Sequence, residues 1–271
     1  MKKLFLLIVC NLISVSLFAQ AQYTVKFIKV DTKYSEKPEP SAGFWKDVTP
    51  IKINLSAQQM TQPTLKESTV ANLTFRSVHN NDTIFVLLEW GDSTRDSSLE
   101  TEKMTDACAI QFPIKEMTKT SPFMGSKNSP VAIGQWKAVW QTDVEKGFQR
   151  IKDIYPNTWV ENTDKFGQNT ALLSKNQASR DDRTTPSQLA IAEGFGSLAL
   201  QPTTDLKSWG VWEKNTWKVG FAMKMKSEKL KLESGKVTGI SFAIWEGGKG
   251  NVGSRKNILM SWQPILIEAG K

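Results

Sequence analysis

The chain has 271 residues, with 35 Lys and Arg against 27 Asp and Glu, a net charge of +8, one His, two Cys and ten Trp. Its 39% hydrophobic and 23% charged content is ordinary globular composition, neither disordered nor polytopic, and the length can bury a substantial core. A single histidine excludes bis-His haem, His-rich zinc sites and a two-His iron triad. Two cysteines exclude an all-cysteine iron–sulfur cluster and a disulfide framework, leaving methionine and lysine as the plentiful unusual ligands.

Met1-Lys2-Lys3, the apolar run Leu4 to Val9 and the small residues Ala19 and Ala21 read as a secretory signal peptide, residues 1–21, cleaved near Ala21. Asn11, Ser14 and Ser16 interrupt the apolar stretch, so it makes a poor permanent membrane span. Cys10 lies too early for a lipoprotein site and follows Val9 rather than a small residue. Cleavage removes it and leaves Cys108 alone in an exported, periplasmic chain. Residues 22–271 are expected to form a single domain. Export and the scatter of the lysines argue against nucleic acid. A solvated basic surface and an acidic docking partner both account for the charge.

Strand patterns dominate. Ile51, Ile53 and Leu55 alternate with polar neighbours, as do Leu73 and Phe75. Asn80-Asn81-Asp82 then turns the chain into the apolar run Thr83 to Trp90 as a hairpin. Ala107 to Phe112 is a further strand, ended by Pro113. Val144, Phe148, Ile151 and Tyr155 fall at helical spacing and predict a helix over 143–153. From Asn157 to Thr185 the chain is polar and reads as a long surface excursion. Trp217 to Met225 alternates with lysines, and the turn Glu213 to Thr216 folds it back on Trp209 to Trp212. Val237 to Trp245 and Ile258 to Ile267 complete the set. Short strands with frequent turns indicate a mainly β fold, an antiparallel β-sandwich with a few short helices.

The chemistry starts from absences: no Cys-x-x-Cys-His, no phosphate-cradling glycine loop and no dinucleotide fingerprint. His79, beside a turn, reads as solvated, and Cys108, on an apolar strand, as a small core residue. Glu89, Asp92 and Asp96 form either a cation site or a polar loop with local turn bonds. Two loops carry more. Met124 sits between Phe123 and Gly125 in a Pro/Ser/Gly loop, as a plug for a gap or a soft axial ligand to haem iron. Lys256 lies in the loop 247–257, whose glycines at 247, 248, 250 and 253 let backbone approach a flat ligand, although on its own it reads as a solvated loop lysine.

In order, these stretches resemble the haem b-binding gamma subunits of periplasmic molybdenum enzymes of the DMSO reductase family. That group comprises ethylbenzene and dimethylsulfide dehydrogenases, selenate and chlorate reductases and nitrite oxidoreductase. The resemblance runs from Phe44-Trp45-Lys46-Asp47-Val48 through Leu88 to Asp96, Asp106 to Pro113, Pro122-Phe123-Met124-Gly125 and Trp136-Lys137-Ala138. It continues through Trp217 to Phe221 and Phe242 to Gly247 to Ser254-Arg255-Lys256 and Trp262. It covers most of residues 44–268, and the ordered series is more specific than any one motif.

The resemblance implies one non-covalent haem b between the sheets, with iron held axially by a methionine and a lysine, which carry over to Met124 and Lys256. Lys137 or Arg255 is a candidate for a propionate contact. The resemblance also implies a non-catalytic electron-transfer subunit. Its partners would be an iron–sulfur beta subunit, a molybdenum catalytic alpha subunit and an external cytochrome or other redox carrier. Only a neutral amine can bind iron, and deprotonating an ordinary lysine at pH 7 costs about 4.6 kcal/mol. A free haem shuttle is one competing reading. An exported carbohydrate-binding β-sandwich module, with tryptophans as sugar platforms, is another, although Trp90, Trp217 and Trp245 fall in apolar strand patterns.

Overall fold

The computed structural model describes residues 21–98, 100–159 and 182–270. The leader before Ala21 and most of the 157–185 excursion lie outside them. The alternating segments form strands, as a period of two dictates. The first half holds β1 (Tyr23–Phe27), a helical turn α1 (Lys33–Glu36), β2 (Ile51–Asn54), β3 (Ser56–Ala57) and the hairpin β4 (Asn72–His79) and β5 (Thr83–Gly91). Asn80 Oδ1 accepts the N–H groups of Asp82 and Thr83 at 3.2 and 2.8 Å, and Asn81 takes φ 76°, so the turn works as its residues predict. Next come β6 (Ala107–Pro113), β7 (Val131–Lys137), α2 (Ala138–Lys146), α3 (Ile151–Ile154), β8 (Ser187–Ala192) and β9 (Ala199–Gln201). The chain ends with β10 (Leu206–Glu213), β11 (Thr216–Lys224), β12 (Val237–Trp245), β13 (Asn257–Ile258) and β14 (Gln263–Ile267).

The main path of the sheet runs β10-β11-β5-β4-β1-β14-β12-β6-β7-β8-β9. Every pairing along it is antiparallel except those of β1, which lies parallel to both β4 and β14. One short strand thus splices two antiparallel halves, which curl until their inner faces meet as in a sandwich. The expected mainly β, sandwich-like architecture holds, with this mixed seam added. Phe75, Val86 and Leu88 from one half meet Ile110, Phe112 and Ile244 from the other. At one end Trp217 packs against Trp90 and Trp136, with ring centroids 6.4 and 4.8 Å away.

Both outer faces are also covered, in different ways. Over β4, β5 and β11 lies the segment after β1, where Trp45 and Val48 bury against Val78, Phe85 and Leu87. The outer face of β6, β7 and β12 instead carries a small separate cluster around Ala107, Ala109 and Trp245. That second face is roofed by loops.

Three local expectations change. The helix predicted over 143–153 is two helices, because Gly147 at φ 90° ends α2. The face of α2 that is buried is Ala138 to Thr142, whereas Phe148, Ile151 and Tyr155 are exposed. The strand predicted over 258–267 is interrupted between β13 and β14. His79 is fully buried rather than solvated. Phe27 of β1 pairs beside it and packs on its ring at 5.7 Å, and burial lowers its pKa. Cys108 is buried and free, as expected.

Gln141 of α2 clamps β10: its Oε1 accepts from Gly210 N at 2.7 Å and its Nε2 donates to Gly210 O at 2.8 Å. The same Oε1 accepts from Trp136 Nε1 at 3.0 Å. A Cβ on Gly210 would stand 2.4 Å from the Trp136 ring, which has no room to yield. Gly210→Ala is expected to lower stability by about 1–3 kcal/mol, read from the urea midpoint at unchanged slope.

Candidate functional site

The roofed outer face encloses a cavity of about 540 Å³, within the range of small-ligand sites. Its floor follows from strand parity. Cys108, Ile110 and Phe112 of β6 point into the core, so Ala107, Ala109 and Gln111 point out; Ile133, Gln135 and Lys137 of β7 do the same. Two alanines on adjacent turns of the pleat leave a flat, shallow apolar floor. The roof comes from segments around Met60, Met124, Phe195 and Val252 to Lys256.

Met124 and Lys256 both line this cavity, although they lie far apart in sequence. The Met124 backbone takes φ 63°, a left-handed conformation that costs a non-glycine residue about 1–2 kcal/mol. It is held there by neighbours: Met124 O accepts from Gly194 N at 2.8 Å and Pro122 O accepts from Gln111 Nε2 at 2.8 Å. Gly125 follows at φ 75°, where a Cβ would collide with two carbonyl oxygens, Ser129 O at 2.7 Å and Ala192 O at 2.9 Å. The turn is therefore pressed into the sheet edge with its methionine at the cavity wall.

Lys256 is positioned by backbone. Its carbonyl accepts from Gln58 N at 2.9 Å, and Gln58 Nε2 donates to Ser254 O at 2.9 Å. Next to it, the fully buried Asn257 accepts from Ser68 Oγ, Thr69 N and Val70 N and donates to Thr69 Oγ1 and Ile244 O. The loop 247–257 is thus stapled to the segment 58–70. Trp245 donates its indole N–H to Gly253 O at 2.9 Å, and the Lys256 Nζ lies 5.1 Å from the Trp245 ring centroid. Among the described residues no carboxylate pairs with that amine. Burial alone pulls its pKa down to about 8, which leaves about 1.4 kcal/mol for deprotonation at pH 7.

Of the two propionate candidates, Lys137 lines the cavity and Arg255 does not. Lys137 Nζ and the Arg183 guanidinium lie 4.6 and 4.2 Å from the same Trp140 ring. Burial and then the Arg183 charge lower the Lys137 pKa, so an anion there would be welcome to both. The acidic group read from sequence also changes. Glu89 pairs with Arg76 across the hairpin, while Asp92 and Asp96 gather with Asp106. Gln58 and Asn257 escaped the sequence reading; only the side-chain hydrogen-bond network reveals them.

In the haem-free protein the depressed Lys256 pKa has a definite sign. Below pH 8 both folded and unfolded chains carry the proton, and the fold bears the cost of a desolvated charge. From pH 8 to about 10.4 only the unfolded chain keeps it, so this residue's contribution to stability rises with pH. Lys256→Met is expected to stabilise the haem-free protein at pH 7 by up to about 3 kcal/mol, with the advantage fading above pH 8 in urea titrations.

Known proteins align with this arrangement. The chlorate reductase subunit gamma of Ideonella dechloratans is 23% identical over 90% of this chain and 84% of its own. A Haloferax mediterranei protein named as a respiratory nitrate reductase heme subunit is 24% identical over 39% of this chain and 38% of its own. A solved family 9 carbohydrate-binding module from Caldicellulosiruptor kristjanssonii, bound to glucose, covers 93% of this chain and 97% of its own at 9% identity and a TM-score of 0.46. The family model described as ethylbenzene dehydrogenase matches residues 42–257, which include Met124, Lys256 and every strand from β2 to β12, and on that match the chain belongs to the ethylbenzene dehydrogenase family.

Proposed function

We propose that the protein is a non-catalytic electron-transfer subunit of an exported molybdenum oxidoreductase. It would bind one haem b in the roofed cavity, with Met124 and Lys256 as axial ligands. The observation that carries this reading is a desolvated amine without an acid partner, in the same cavity as a methionine held in a left-handed turn. The residues fit the group: the small side chains of the floor leave room for a macrocycle, a thioether and an amine offer one donor each, and Lys137 offers a cation for a propionate. When bound, haem b supplies one-electron chemistry at iron.

The chain's own residues do the rest. The stapled loop holds the amine out of water, so the neutral form with a free lone pair is within about 1.4 kcal/mol at pH 7, and the metal bond offsets that remainder. The thioether favours ferrous iron, which sets a potential above that of a bis-His haem. The cavity differs from the resemblance in position. It lies on the outer face of the sheet rather than between its halves, because the inner space is filled by the tryptophan and phenylalanine core. Half-exposed Met60, Phe195, Leu198 and Val252 rim its mouth, where a redox partner would approach the cofactor's edge.

The partners in this reading are an iron–sulfur subunit and a molybdenum-bearing catalytic subunit, with an external cytochrome or other carrier completing the path. The names of the two curated relatives support it. Among the described residues no helix is long and apolar enough to cross a membrane, and the leader sequence supports export to the periplasm. The carbohydrate alternative gains nothing from Trp90, Trp217 and Trp245, all of which are buried.

Chain purified from cells supplied with haem is expected to show a Soret band with stoichiometric non-covalent haem b. Met124→Ala and Lys256→Ala should each change the iron spin state and shift the midpoint potential. A protein with no Soret band would sink the haem reading, and two unchanged variant spectra would sink the ligand assignment. Lys137→Ala should leave the spectrum intact while speeding haem transfer to apomyoglobin about tenfold or more, the size of one lost charged hydrogen bond.

A further inference from the structure

Beneath the Lys256 loop lies a group of acids that haem binding does not use. Asp92 follows β5, Asp106 precedes β6, and Asp96 lies in the connection between them. A carboxylate oxygen from each stands within 4.8 Å of the others. Asp92 and Asp106 are buried, at 3% and 0% exposure. Asp106 Oδ1 accepts from Gly247 N at 2.8 Å, and Oδ2 accepts from Asp96 N at 2.7 Å and Trp217 Nε1 at 2.9 Å. Those bonds fix the carboxylate and leave lone pairs over.

Two buried atoms beside this cluster lack the partner they need. Asp92 Oδ1 accepts from Thr94 N at 3.1 Å, but its Oδ2 has no hydrogen-bond partner. The Trp90 indole N–H, on a side chain 2% exposed, is directed at the same carboxylate and falls short of bonding geometry. The buried Asp92 oxygen, an acceptor without a bonded donor, marks a place where a positive partner belongs. Among the described residues no basic side chain forms an ion pair with the three aspartates: Arg95 and Lys103, both inside the connection, pair with Glu145 at 3.8 Å and Glu100 at 2.6 Å. Burial and the Asp92 charge push the Asp106 carboxyl up to about 7, and burial and the Asp92 charge also raise buried Glu246. The fold has collected negative charge with no directly ion-paired cation among the described residues.

We infer that Asp92, Asp96 and Asp106 form a binding site for a hard divalent cation, Ca²⁺ by its chemistry. The donors are all oxygen, with neither His nor Cys, which selects Ca²⁺ or Mg²⁺ over zinc or copper. Oxygens spread over as much as 4.8 Å reach an ion at the roughly 2.3–2.6 Å of Ca²⁺ more readily than at the tighter octahedral distances of Mg²⁺. Asp96 is only half-buried and gives the ion a way in. The glycines at the base of the Lys256 loop complete the argument. A Cβ on Gly247 would meet Met104 O at 2.2 Å, and one on Gly248 would meet Thr94 Oγ1 at 2.7 Å and Asp96 Oδ2 at 2.9 Å. The loop is pressed onto the acids, and a cation there ties its base to both flanking strands.

The test uses the full chain stripped with EDTA and titrated with CaCl₂, and it needs no haem. One Ca²⁺ per chain by calorimetry and a rise in Tm of about 5 °C at saturation are expected. Asp96→Asn, at a half-exposed position that the fold tolerates, should weaken binding tenfold or more while leaving the Tm in EDTA unchanged. Equal Tm in Ca²⁺ and EDTA with no binding heat would overturn the inference in favour of a proton shared by Asp92 and Asp106. Binding untouched by Asp96→Asn would overturn the location, and an equal or larger response to Mg²⁺ would overturn the choice of ion.

Discussion

An amine kept from water, with no acid beside it among the described residues, is the constraint on which the rest of this structure turns. A lysine left in solvent would hold its proton at neutral pH at a cost of about 4.6 kcal/mol to remove. In this fold burial removes most of that cost and leaves its pKa at about 8. Such a position must be enforced, because a four-carbon stem with a charged end swings towards water wherever it can. The enforcement is in the backbone. Lys256 O is bonded to Gln58 N, Ser254 O to Gln58 Nε2, and the adjacent Asn257 spends its side chain on six hydrogen bonds. With the stem's root fixed on both sides and Trp245 beneath it, the amine has the cavity as its surroundings.

The cavity in turn depends on how the sheet distributes its bulk. Large aromatics fill the inner faces, with Trp90, Trp136 and Trp217 at one end and Phe75 and Phe112 further along. The outer face of the same strands is given small residues, Ala107 and Ala109 on β6 and Ala190 on β8. Alternation along one strand therefore builds a stiff wall on one side and an open floor on the other. The opposite outer face has Phe85 and Leu87 in the equivalent role, and the segment around Trp45 closes over them. A ligand site arises where side-chain volume is withheld, not where the sheet is weakened.

Much of this was legible in the sequence. The strands, the Asn80-Asn81-Asp82 turn and the alternation of β11 all follow from local chemistry, and local chemistry is what a linear pattern records. The failures share a cause. His79 looked solvated because it adjoins a turn, but β1 runs alongside from far away in the chain and buries it. The helix was misplaced because Phe148, Ile151 and Tyr155 have helical spacing without having a partner surface, whereas Gly147 carries the stop signal. Glu89 looked equivalent to Asp92 and Asp96, yet strand parity turns it towards Arg76, and Asp106 takes its place from the next strand. Met124 and Lys256 were singled out from their loops and the family resemblance; that they share one cavity depends on pairings no local pattern encodes.

Two local costs converge on that cavity, and neither is repaid by packing. Met124 occupies a left-handed backbone conformation that a glycine would hold without strain, at about 1–2 kcal/mol. Lys256 gives up its hydration with only an indole face in return. A stability-driven sequence would place glycine at the first position and an apolar or solvent-directed residue at the second. Strain and desolvation that persist together on one surface, in a protein of ordinary marginal stability, are the pattern expected where a bound ligand offsets both. The thioether and the desolvated amine on the wall of one apolar cavity are the two donors such a ligand would meet. In the proposed reading a metal macrocycle held between those two donors would offset both costs, and the small side chains of the floor leave it room.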